Sequence, residues 1–256
     1  MSRFTSILLA VVVVLPATVA WASNRWPDEK QAGPFSCHAD FSLAGHQGLL
    51  NEIATLQHDV TRTLGVSPAR EPVHLFLFEE KSTYQKYLSY YFPKVPYRRA
   101  LYIKGRGPGM VFAHMNNEFE IDVRHESTHA LLHAALPVVP LWLDEGLAEY
   151  FEVPAKDRPF NNPHFKSVLW GVRFGKIPRI DDLENIESLA EMGRDEYRNA
   201  WAWVHFMLHG PPAAREVLQR YLADLEAHTP PGRLSHHLRH RIPDLDDAFT
   251  RHFRSW

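Results

Sequence analysis

The chain has 256 residues, a formal net charge of −2 and 45% hydrophobic content, which suits one generous globular domain or two small ones. Charge this close to balance argues against a nucleic-acid binder, which carries a basic excess. Nothing in the composition is collagen-like, of low complexity or typical of long disorder.

Residues 1–22 are a different material. Arg3 gives a thin positive region, ILLAVVVVL an apolar run, Pro16 a break, and Ala20-Trp21-Ala22 a small-x-small cleavage site. This is the pattern of a cleaved signal peptide, with the mature chain starting near Ser23 and destined for the periplasm or for secretion. The alternative is a membrane anchor that stays uncleaved. The run from Ile7 to Leu15 is far shorter than the about 20 apolar residues of a spanning helix, so no stable membrane insertion is expected after cleavage. Cys37 is the only cysteine, so no disulfide can form within the chain. It reads as a small buried thiol beside an exposed His38 rather than as half of a metal pair.

In the mature chain, residues 24–36 read as an extended, Pro/Gly-punctuated lead-in. Leu49, Leu50, Ile53, Leu56, Val60 and Leu64 recur at helical spacing, and Gly65 is a natural stop. VHLFLF (73–78) predicts a strand, followed by a helix from Glu80 to Phe92. ALYIKG and MVFAHM flank GRGPG and predict a hairpin. Those glycines are not a phosphate cradle, because no Lys-Ser/Thr and no helix start follow them. A helix is expected from Glu118 to Leu136, and a second in LWLDEGLAEYFE after Pro140. Further helices are expected at 165–174, 195–208 and 213–227, with an amphipathic, solvated, histidine-dense tail from Leu234. Strands early and helices late predict an α+β fold, with a small N-terminal mixed sheet and a helical C-terminal half. The mature chain, residues 23–256, is expected to be a single domain, sheet-containing over 23–115 and mainly helical over 116–256.

The chemistry concentrates in the helix from Glu118. His125-Glu126-Ser127-Thr128-His129 is an HExxH motif. On a helix the two imidazoles lie about 40° apart and one turn along, close enough to share one Zn²⁺. Glu126 then sits beside the ion, placed to take a proton from the water that the ion acidifies. His133 extends the row but lies about 12 Å from His125 along the axis, so it is expected to flank or pack. A catalytic zinc normally has three protein ligands, and Asp144, Glu145 and Glu149 are the acidic candidates on the following helix. The Tyr197 phenol is a candidate donor to the oxygen that gains charge during hydrolysis, the alternative being a helix-start tyrosine that packs. His205 and His209 are expected at the edge of the core.

HESTHALLHAALP followed by PLWLDEGLAEYFE resembles the glutamate zincins, the metallopeptidases that include thermolysin, and among them the exported bacterial peptidase MA-like proteins. YRNAWAWVHFML, residues 197–208, resembles a later pattern of the same proteins. The resemblance implies a zincin-like active-site helix, with Glu145 completing His125 and His129 as zinc ligands. It also implies Glu126 as general base and Glu149 as the acid that steadies the first histidine. The interval from His129 to Glu145 is shorter than in thermolysin, and the Gly-x-Met-Glu-Asn motif of aminopeptidases is missing. The expected function is an exported zinc-dependent metallohydrolase acting on peptide or protein, with MVFAHM expected at an edge of the small sheet where an extended peptide would align by strand addition. The alternative is a zinc-containing envelope protein that binds peptides or partners without cleaving them.

Overall fold

A computed structural model describes residues 26–105 and 107–255, so the signal-peptide pattern at 1–22 lies outside the described residues. Among the described residues no helix is long and apolar enough to cross a membrane. The fold is α+β, with a five-stranded mixed sheet and a helical C-terminal half. The chain divides into two compact units. The first holds the described residues up to Gln57 together with Ala69–Ala134, and the second His58–Pro68 together with the residues from Ala135 on.

The first unit contains β1 (Asp28–Ala32), β2 (Phe35–Ala39), most of α1 (Gln47–Leu64), β3 (Val73–Phe78), α2 (Lys81–Tyr91), β4 (Ala100–Ile103), β5 (Met110–His114) and nearly all of α3 (Phe119–Ala135). The strand order is β1-β2-β3-β5-β4, parallel at β2/β3 and β3/β5 and antiparallel at both edges. Alternation along the strands gives the sheet two buried faces. On one, His38, Phe76 and Phe112 stand in register and stack, with ring centroids 5.0 Å apart at each step. Tyr84, Tyr87 and Leu88 of α2 complete that cluster. On the other, Cys37, Leu75 and Val111 share one level and are fully buried.

Three expectations need correction. Residues 24–36 are not merely a lead-in, because 28–32 and 35–39 form the antiparallel hairpin β1/β2. DEKQA is exposed at three of its five positions, so it shows no apolar alternation, and only its pairing makes it a strand. Its turn places Gly33 at φ +58°, where an added Cβ would lie 2.5 Å from the Ala54 carbonyl oxygen of α1. Second, His38 is not exposed. Its side chain retains 17% exposure and bonds Glu29 at 2.7 Å and His74 at 3.0 Å. Third, MVFAHM is not a sheet edge open to an incoming strand. β5 lies between β3 and β4, and the edges are β1 and β4.

The second unit carries the last residues of α1 and then α4 (Leu141–Phe151), α5 (Phe165–Arg173), α6 (Ile180–Glu184), α7 (Arg194–His209), α8 (Pro212–Glu226), α9 (Leu234–Arg241) and α10 (Leu245–Ser255). Trp201, Trp203 and Phe206 of α7 and Phe249 and Phe253 of α10 are fully buried and form its aromatic interior. The closest helix pairing is α4 on α7, and glycine permits it. A Cβ at Gly146 would lie 2.8 Å from the Ala200 carbonyl oxygen and 3.0 Å from Val204 Cγ2. Backbone cannot yield as a side chain can, so overpacking there costs about 1–3 kcal/mol. Gly146→Ala is therefore expected to lower the thermal midpoint by several degrees. Gly48→Ala on α1, where an added Cβ meets only open space, is expected to leave the midpoint unchanged or raise it.

Candidate active site

Helix α3 brings a polar motif into a buried setting. Leu131 and Leu132 are buried, but so are Asp122, Arg124, Ser127, Thr128 and His129. Each charged group is met within the first unit. Asn116 opens the helix by accepting the Glu118 N–H at 2.7 Å and by donating to Asp122 at 3.0 Å. Arg99 bonds Asp122 at 2.6 Å and Glu118 at 2.5 Å. The Arg124 side chain is only 5% exposed and bonds Glu52 of α1 at 2.6 Å. Thr128 returns its hydroxyl to the Arg124 carbonyl at 2.9 Å. Glu120 and Asp122 in the first turn also suit the positive end of the helix dipole.

These anchors hold the two motif histidines in a convergent geometry. Nε2 of His125 and Nε2 of His129 are 3.2 Å apart, with the rings at 74°. Two nitrogens bound tetrahedrally at the zinc–imidazole distance stand about 3.3 Å apart, so the pair fits one zinc ion without rearrangement. The same spacing also accommodates an N–H···N hydrogen bond when one ring carries its proton on Nε2. His125 is half-buried and His129 is buried. Glu126 is half-buried too, and its charge reaches the Tyr84 phenol. Burial first, and the Glu126 carboxylate second, hold Tyr84 well above the ordinary phenol range. Tyr84 therefore stays protonated and donates to the Arg98 carbonyl at 2.8 Å. His133 packs, as expected. Its ring stacks on Tyr102 at 5.7 Å, and its carbonyl accepts from Lys104 at 3.2 Å.

Glu145, Glu149 and Tyr197 belong to the second unit. Glu145 is buried on α4 at 6% exposure, with Asp144 beside it at 8%. Glu149 bonds His164 Nε2 at 2.8 Å, and the His164 ring lies 5.9 Å from Trp201. No motif spacing marks His164 in the sequence, since it sits in a loop 15 residues beyond its acid. Tyr197 is half-buried in the first turn of α7. Comparison of the chain with protein-family models and with curated proteins finds no match.

His205 lies deeper than the core edge, with no exposure at all. Its Nε2 is 2.9 Å from the Pro159 carbonyl, which can only accept, so that nitrogen carries the proton. Nδ1 then accepts from Nε2 of His252 on α10, 2.9 Å away. His209, 4.7 Å from His205 between centroids, bonds the Tyr150 hydroxyl at 2.8 Å. Burial is the main cause that lowers His205 to about 3 and His252 to about 4. Both are thus neutral when folded and free to take protons when unfolded. Their contribution is fully present above pH 6.5 and is lost as pH falls toward 4 and then 3. Each group costs up to about 1.4 kcal/mol per pH unit in that window. Urea unfolding is expected to show a loss of about 2–4 kcal/mol between pH 7 and pH 5, with a shallower slope in His252→Gln.

Proposed function

We propose that the chain is an exported zinc-dependent hydrolase that cleaves peptide bonds, with His125, His129 and Glu145 as metal ligands and Glu126 as general base. The observation that carries this reading is the 3.2 Å convergence of two Nε2 atoms on one helix with a glutamate beside the first. Glu145 is assigned as the third ligand because a catalytic zinc normally takes three protein ligands, and Glu145 is a buried acid in the segment that resembles the glutamate zincins.

A zinc ion bound there would act as a Lewis acid toward a carbonyl oxygen and lower the pKa of water toward neutrality. Glu126 takes the proton of the attacking water on a carboxylate oxygen and then delivers it to the leaving nitrogen. Glu149 is assigned to steady His125, and Tyr197 to donate to the oxygen that gains charge. The near-neutral chain has no basic excess to favour nucleic acid over peptide.

Metal analysis of the purified mature chain is expected to find about one equivalent of zinc, lost in His129→Ala. Glu126→Gln is expected to keep the zinc and to slow cleavage of denatured casein by at least about 100-fold. Zinc with no Glu126-dependent cleavage would leave a peptide-binding envelope protein. A chain that takes up no zinc would sink both readings.

A further inference from the structure

His114, the last residue of β5, is 5% exposed and engages both ring nitrogens. Nδ1 lies 3.0 Å from the Met115 carbonyl oxygen, which can only accept, so Nδ1 carries the proton. In the neutral ring Nε2 is then an acceptor, and the Tyr97 hydroxyl 3.2 Å away donates to it. A phenol has one proton, and this one points inward. The lone pairs of the Tyr97 oxygen are what remain for an outside partner, and Tyr97 is 48% exposed.

The surroundings place that acceptor beside the α3 motif. The Tyr97 ring meets Tyr84 edge-on at 6.1 Å, and Tyr84 lies 5.0 Å from the His114 ring. Arg99, two residues beyond Tyr97, is bonded to Asp122. Asp122 stands one turn ahead of Glu126 on the same face of α3. The Tyr84 phenol is raised first by burial and then by the field of the Glu126 carboxylate, so the negative charge of the motif is felt at this aromatic cluster. On the other side the Lys81 ammonium sits 5.0 Å from the centre of the Tyr97 ring.

We propose that Tyr97 is a substrate-binding residue whose phenolic oxygen accepts a backbone N–H of a bound peptide, with His114 as the positioning residue that turns the phenol's proton away. This rests on the reading of α3 as a peptide-cleaving centre. A neutral donor suits the position. Lys81 disfavours an ammonium, Glu126 disfavours a carboxylate, and a carbonyl would set lone pair against lone pair. Every peptide residue except proline offers such an N–H.

The test uses the full mature chain carrying Glu126→Gln, with fluorescein-labelled, reduced and carboxymethylated casein as the probe and anisotropy as the readout. Tyr97→Phe in that background is expected to weaken binding about 5- to 10-fold in a chain that still unfolds cooperatively, with a melting midpoint lowered by the loss of the donor to the buried His114. In the cleaving chain the same substitution is expected to raise KM and to leave kcat within about twofold. Ring nitrogen NMR is expected to find His114 protonated on Nδ1, with an Nε2 signal that moves in Tyr97→Phe. Affinity within twofold of the parent, a proton on His114 Nε2 alone, or no casein binding at all would each overturn the proposal. The hydrolase reading is judged separately, by zinc content and Glu126-dependent cleavage. Tyr97-dependent binding without such cleavage would retain this site and remove that reaction.

Discussion

Helix α3 carries charge into the interior, and the first unit is arranged so that it can. An unpaired ion at the depth of Arg124 would cost several kcal/mol, yet this side chain, 5% exposed, places its guanidinium 2.6 Å from Glu52. Asp122 is held twice over, by Arg99 and by Asn116. These bonds fix the helix in rotation as well as in place. A turn of even one residue, about 100°, would break all three and point the motif histidines elsewhere. The buried ion pairs contribute little net stability. They set the direction of His125 and His129, on which the chemistry assigned to α3 depends.

The second unit reaches specificity differently, through close approach and aromatic fill. Gly146 lets α4 settle against the α7 backbone at Ala200. Because Gly146 follows Glu145, the tightness of that crossing also fixes the α4 backbone from which the carboxylate projects. Around it Trp201, Phe249 and Phe253 enclose a neutral pair of histidines. Neutral imidazoles tolerate such a place because each donor finds an acceptor.

Much of this was legible in the sequence because its signals are local. Helical spacing from Leu49 to Leu64 located α1, with Gly65 as its stop at φ +76°. HExxH announced itself because two histidines four apart stand one turn apart on any helix. What escaped depends on pairing between distant residues. β1 has no apolar stripe, and only β2 makes it a strand. The interior position of β5 follows from sheet order, which alternation within MVFAHM cannot encode. Tyr97 with His114, Glu149 with His164 and His205 with His252 are bonds across 17, 15 and 47 residues. No composition rule relates such residues. The tail histidines looked like a solvated face, yet His252 is turned inward by the same amphipathic helix that buries Phe249 and Phe253.

Cys37 stands inside the sheet on β2, between Lys30 of β1 and Leu75 of β3. Burial raises its thiol to about 12, so almost no thiolate exists at neutral pH and reagents cannot reach the sulfur. That sulfur becomes reactive only when β2 parts from its neighbours. With no second cysteine in the chain to confuse the signal, the rate at which this one atom is alkylated is a clock for how often the sheet breathes.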